Sequence, residues 1–180
     1  MRSTSLTRAT LSASYLMLML GTPALAAEFG AKFSGFQEIG ALGAETGAIF
    51  SRGRGTLDLR LDRKAQSVTY RLTYGDLGTP VTQAHIHFGR VHVAGGVIVF
   101  LCSNLGNGPA GTPACPASGG TVTGTLGPAS VLGIAAQRFP VGNWDAFVAA
   151  LESDTAYGNI HTTDLPAGEI RGQVRRGDDN

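Results

Sequence analysis

The chain has four histidines in 180 residues, and three of them fall where strands would carry them to one place. His85 and His87 sit in Gln83-Ala84-His85-Ile86-His87-Phe88-Gly89, and His161 sits in Asn159-Ile160-His161-Thr162. Side chains two apart on a β-strand point to the same face, about 7 Å apart along it. A His-x-His strand therefore presents two imidazoles together. Three imidazoles suit copper first and zinc second, and such a set leaves a coordination position for water or substrate. To share one ion, ring nitrogens must come within roughly 4 Å of one another, since the bonds are about 2.0–2.1 Å long. Glu169 is a further candidate, as a fourth ligand or as an acceptor that fixes a histidine tautomer. His92, in an expected turn, is the remaining possible ligand. The competing explanation is that a solvated strand face is polar anyway.

Strand phase decides which face these residues share. In Ala84-His85-Ile86-His87-Phe88 the apolar Ala84, Ile86 and Phe88 belong to the core, so Gln83, His85 and His87 lie opposite. By the same reasoning Ile160 points inward and Tyr157, Asn159 and His161 outward. Ile170 and Val174 point inward, and Glu169, Arg171 and Gln173 outward. If these strands are neighbours, the three histidines converge on an outward, polar face. Glu169 and Arg171 also have a plain structural use, either pairing with each other or, for Arg171, tying down the turn from Thr162 to Ala167.

The elements that must position these residues are mostly short strands. Thr56–Leu61 and Ser67–Tyr74 alternate strictly and are joined by the polar turn Asp62-Arg63-Lys64-Ala65-Gln66, which predicts a hairpin. Further strands are expected at Phe29–Gln37, Gly47–Phe50, Val81–Phe88, Gly96–Cys102, Gly120–Leu126, Tyr157–Thr162 and Glu169–Val174. One segment has helical spacing instead. Asn143–Glu152 opens with an N-cap asparagine and places Phe147, Ala150 and Leu151 on one side. With frequent glycine turns and no βαβ rhythm, the expected fold is all-β. It is an antiparallel β-sandwich or Greek-key barrel with one short helix near 143–152.

Residues 1–26 read as a cleaved signal peptide. Arg2 and Arg8 are basic, Tyr15–Leu20 is apolar, and Ala24-Leu25-Ala26 is a small-x-small cleavage site. The expected organisation is a single β domain over 27–174 and a flexible charged tail over 175–180, exported to the periplasm or secreted. Loss of Arg2 and Arg8 takes the formal net charge from +1 to −1. That balance argues against nucleic acid or an anionic membrane surface as a partner, and no segment is apolar for long enough to span a bilayer. Cys102 and Cys115 are the only cysteines. They flank a loop of glycine, proline, asparagine and serine, the arrangement of a disulfide in an oxidising compartment. Gly-x-Ser-x-Gly and His-Glu-x-x-His motifs are absent, and no paired carboxylates suggest hydrolysis.

The ordered motifs resemble the CHRD domain, named after chordin. They are Phe33-x-Gly35-x-Gln37-Glu38, Ala84-His85-Ile86-His87-x-Gly89, Gly96-Val97-Ile98-Val99-x-Leu101, Asn159-Ile160-His161-Thr162 and Pro166-x-Gly168-Glu169-Ile170-Arg171-Gly172-Gln173. The resemblance runs from Ala27 to Val174 and implies an exported, β-rich domain. The chain departs from it at Ile39-Gly40, where the family usually has proline, and at His92-Val93-Ala94-Gly95, where it usually has Gly-x-Asn-Gly. A looser similarity, of site rather than chain, is to copper/zinc superoxide dismutase. It implies a copper set of His85, His87 and His161, but four histidines cannot also supply a separate zinc set. Three functions follow as expectations. The first is a metal-binding or metal-handling domain, with copper as its ion and no catalytic residue. The others are a protein-interaction or structural module without metal, and a dismutase-type copper oxidoreductase.

Overall fold

Alternation of leucine with polar residues builds the clearest part of the molecule, a hairpin of β4 (Arg54–Asp62) and β5 (Ser67–Gly75). Leu57, Leu59 and Leu61 on one strand and Val68, Tyr70, Leu72 and Tyr74 on the other are buried, while the residues between them face solvent. The chain is described here from a computed structural model, over residues 26–41 and 43–177. The expected signal segment, apart from Ala26, lies outside the described residues, as does the end of the tail from residue 178.

The remaining main strands are β1 (Ala27–Ser34), β6 (Val81–Phe88), β7 (Gly96–Ser103), β8 (Gly120–Leu126), β9 (Ala156–Thr162) and β10 (Ile170–Gln173). They pair antiparallel in the order β7-β6-β9-β10-β1-β4-β5-β8. The sheet curls until its first and last strands approach, which gives a nearly closed barrel rather than two separate sheets. The Tyr70 hydroxyl crosses the core to the Leu101 carbonyl at 2.6 Å, tying β5 to the edge strand β7. Inside are Phe29, Ala31 and Phe33 of β1, the leucine and tyrosine rows of β4 and β5, and Ala84, Ile86, Ile160 and Ile170.

Helix α1 (Trp144–Glu152) is where the spacing placed it. The Asn143 side chain accepts the Ala146 N–H at 2.9 Å, which satisfies one of the free donors of the first turn. Phe147 and Leu151 are fully buried in the common core. Cys102 and Cys115 form the expected disulfide. Asn104 holds the same loop, donating to the Val81 and Cys115 carbonyls and accepting the Cys115 N–H.

Several local expectations are corrected. Phe29–Gln37 is not one strand, because β1 ends at Ser34 and Gly35–Gln37 forms a 3-10 turn. That turn lets the Gly35 carbonyl accept the N–H groups of Glu38 and Ile49. Gly47–Phe50 is not a strand. The segment before it instead makes a two-residue hairpin of β2 (Gly40–Ala41) and β3 (Ala44–Glu45). Arg175–Arg176, expected to open a frayed tail, pair as β11 with Gly30 and Phe29, and Arg175 bonds Asp154 at 2.7 Å.

Closing a loop of this separation, 13 residues, stabilises the fold by about 3 kcal/mol on the chain-entropy account. Replacing both cysteines by serine should lower the melting temperature by roughly 6–12 °C in a thermal melt. Reductant should do the same to the parent protein and nothing further to the variant.

Candidate metal centre

Register places the three histidines on adjoining strands. Along the β6–β9 pair, Gln83 faces His161, His85 faces Asn159 and His87 faces Tyr157. Along β9–β10, Asn159 faces Arg171 and Tyr157 faces Gln173. Irregularities in the β6–β7 pairing flank His85 and His87, and Phe100 of β7 lies edge-on to the His85 ring at 4.4 Å.

The expectation of an outward, solvated face is corrected. His85, His87 and His161 are all buried, as are Asn159, Glu169 and Arg171. Three segments roof this side of the barrel and leave the β4–β5 side open. The turn after β6 lays the carbonyls of Arg90 and Val93 over Arg171 Nη2, at 3.1 and 3.0 Å. The segment from Gly35 to Ser51 brings Glu38 to Asn159 and Ser51 to Glu169. The turn before β10 brings the Pro166 carbonyl to His161.

Two backbone carbonyls set the histidine tautomers. His87 Nδ1 lies 2.9 Å from the Gly95 oxygen and His161 Nδ1 lies 2.9 Å from the Pro166 oxygen. A carbonyl can only accept, so both Nδ1 atoms carry the proton and both Nε2 atoms keep a lone pair. His85 Nδ1 is 3.2 Å from His161 Nε2 and donates to it. The Nε2 atoms of His85 and His87 are sealed from solvent and have no hydrogen-bond partner. Buried polar atoms without partners are rare in folded proteins and call for an explanation.

One ligand nitrogen from each ring lies within 4.8 Å of the others. The 3.2 Å between His85 Nδ1 and His161 Nε2 is close to the ~3.3 Å that separates two ligands on a tetrahedral ion with 2.0–2.1 Å bonds. Bringing the whole set onto one ion takes a movement of about 1 Å, and His85 would shift its proton from Nδ1 to Nε2, staying neutral. Both carbonyl contacts are of the kind that orient metal-binding imidazoles.

The supporting groups form a stack. The Tyr157 ring lies parallel to His87 at 4.7 Å, and the Arg171 guanidinium covers its other face at 3.4 Å. The Tyr157 hydroxyl accepts the Gly95 N–H at 3.1 Å, so one side chain both stacks on His87 and fixes the residue that holds it. Gly95 must be glycine, since a Cβ there would sit 1.8 Å from the Phe88 oxygen. Glu38 Oε1 accepts the N–H groups of Ile39 and Gly40, and Oε2 accepts from Asn159. Burial nevertheless pushes the Glu38 carboxyl up.

The other sequence candidates stand elsewhere. Glu169 does not meet the histidines and does not pair with Arg171. Its oxygens accept from Ser51 at 2.6 Å, the Gly78 N–H at 2.9 Å and Thr162 at 2.8 Å. His92 is exposed in the turn after β6, with a left-handed φ of 59°. Arg171 ties down that same turn rather than the one from Thr162 to Ala167. The carbonyls of Gly95 and Pro166 went unforeseen because backbone acceptors leave no mark on residue type. Glu38 and Phe100 lie on segments whose periodicity does not point at the histidines.

The sequence model of the CHRD domain matches residues 29–174. The chain belongs to the CHRD domain family. No curated protein and no solved structure matches it. The matched span takes in all three histidines, the disulfide and every main strand of the barrel, so the site is built inside the CHRD domain. Among the described residues no helix is long and apolar enough to cross a membrane. The disulfide is consistent with export.

Burial makes protonation of this site unfavourable. It holds His85 down at about 2 and His87 at about 3, and it lowers His161 as well. In the unfolded chain each would titrate near 6.5. Above that value both states carry neutral imidazoles and stability is insensitive to these groups. Below it the unfolded chain takes up protons that the folded chain refuses, so stability falls with pH, by up to about 1.4 kcal/mol per unit per histidine. Glu38, raised by burial, acts in the opposite sense, one group against three. Urea midpoints of the CHRD domain in chelator should therefore fall between about pH 7.5 and 5.5. A flat midpoint over that range contradicts the buried, neutral triad.

Proposed function

We propose that this CHRD domain binds one transition-metal ion through His85, His87 and His161, and acts in metal binding or handling outside the cytoplasm, in the periplasm or secreted. Copper is the favoured ion and zinc the second. The observation that carries the reading is the convergence of three imidazole nitrogens within 4.8 Å, two of the rings holding a sealed and unpartnered Nε2. A structural histidine cluster would be expected to satisfy those atoms. A bound ion accounts directly for the His87 atom, because it takes a lone pair where a proton is unfavourable. Handling is favoured over turnover because a dismutase needs an open position reached by solvent, and the nitrogens here are closed off.

A second reading, a protein-interaction module, has one observation in its favour. Phe36 and Phe50 are 61% and 94% exposed and lie edge to face at 6.4 Å. Exposed aromatics are enriched where proteins bind one another.

Copper titration of the purified protein, set against a His85→Ala/His87→Ala double variant whose fold is checked by circular dichroism, tests the metal reading. The parent should bind one equivalent, and the variant should bind it more than about a hundredfold more weakly. Equal, weak binding by both forms refutes the site. A superoxide assay on the loaded protein then separates handling from dismutation.

A further inference from the structure

A site made only of neutral imidazoles, walled by aromatic rings and lying beside a buried cation, does not treat all transition-metal ions alike. Neither buried carboxylate is free to join it. Both oxygens of Glu38 are occupied by the N–H groups of Ile39 and Gly40 and by Asn159. Those of Glu169 are occupied by Ser51, Gly78 and Thr162. The nearest fixed charge across the stack is positive, the 2%-exposed Arg171. Its guanidinium lies 3.4 Å from the Tyr157 ring, which in turn lies 4.7 Å from His87. Phe100 closes on His85 from the other strand at 4.4 Å.

Charge and solvation both act on an ion placed here. The cost of moving an ion out of water grows with the square of its charge, so a divalent ion faces about four times the penalty of a monovalent one. Three neutral ligands return no compensating charge, and Arg171 adds repulsion that is again larger for the divalent ion. Divalent copper and zinc also take a fourth ligand, often water, whereas the unpartnered nitrogens are shut away from solvent.

We infer that the His85–His87–His161 site selects monovalent copper, Cu(I), over Cu(II) and Zn(II), holding it through three nitrogens with no water ligand. This rests on the metal-binding reading above and goes beyond it in naming the charge of the ion. No redox step is involved, since the ion enters and leaves as Cu(I). Arg171, which touches none of the three rings, acts as a positioning and charge-setting residue through Tyr157.

The test is a set of parallel titrations of the purified protein. Cu(I) is added without oxygen against a chromophoric Cu(I) chelator, and Ag(I) serves as a redox-inert monovalent probe. Cu(II) and Zn(II) are added separately against their own competitors. Cu(I) and Ag(I) should each bind one equivalent, lost in the His85→Ala/His87→Ala variant, with Zn(II) and Cu(II) at least about a hundredfold weaker. X-ray absorption of the Cu(I) form should show three nitrogen neighbours and no fourth oxygen. Arg171→Gln, if circular dichroism shows it folded, should narrow the gap between monovalent and divalent ions. Tighter or equal binding of Cu(II) or Zn(II) at the same histidines overturns this inference and leaves the metal site standing. Loss of all histidine-dependent binding, monovalent and divalent alike, overturns both.

Discussion

Three imidazoles enclosed on the outer side of a barrel wall are stable only while they stay uncharged, and much of the architecture around them follows from that. An imidazolium at His87 would be buried beside Arg171, with no carboxylate free to pair with it. The neutral rings in turn need their Nδ1 protons held by acceptors. The carbonyls of Gly95 and Pro166 do this for His87 and His161. Gly95 is held by the Tyr157 hydroxyl, and Tyr157 is sandwiched between His87 and Arg171. Tautomer, ring orientation and loop position thus form one connected arrangement.

The same arrangement explains why the barrel wall is asymmetric. β4 and β5 are buried on one face and wet on the other, whereas every residue of β9 is buried. Strands buried on both faces are usually apolar throughout. β9 instead carries Tyr157, Asn159 and His161 on its second face, so each polar group must be matched by a roofing segment. Glu38 answers Asn159, and the carbonyls of the turn after β6 answer Arg171. Glu169, bonded to Thr162 at the end of β9, answers Ser51 and the Gly78 N–H. Removing one member would leave a buried group unpaired, which typically costs about 1–3 kcal/mol. The roof and the site therefore stabilise each other.

The disulfide and Asn104 act on the opposite problem, the seam where the sheet fails to close completely. β7 and β8 are the two ends of the strand order, and an exposed edge invites pairing with other chains. The Cys102–Cys115 bridge, with the bonds of Asn104 to Val81 and Cys115, pins the long β7–β8 connection beside the edge strand. Phe100 lies on that same edge strand and against His85, so order at the seam extends into the site.

What the sequence determined was periodic or covalent. Alternation in Thr56–Leu61, Ser67–Tyr74 and Val81–Phe88 located these strands and their inward faces, because side-chain direction in a strand is a strictly local, two-residue property. Helical spacing after Asn143 and the cysteines flanking a turn-rich loop were legible for the same reason, and the ordered motifs pointed to the CHRD domain. Strand phase also put His85, His87 and His161 on faces of one sense. It could not say whether those faces were wet, since the roof comes from segments with no periodicity, distant in sequence and held by backbone carbonyls. Tertiary structure alone decided that β6 and β9 are neighbours and that the polar face is closed. It also turned Glu169 toward Ser51 rather than the histidines and set Arg171 over Tyr157. Burial and partner choice depend on what the rest of the chain brings to a face, and local spacing carries no record of that.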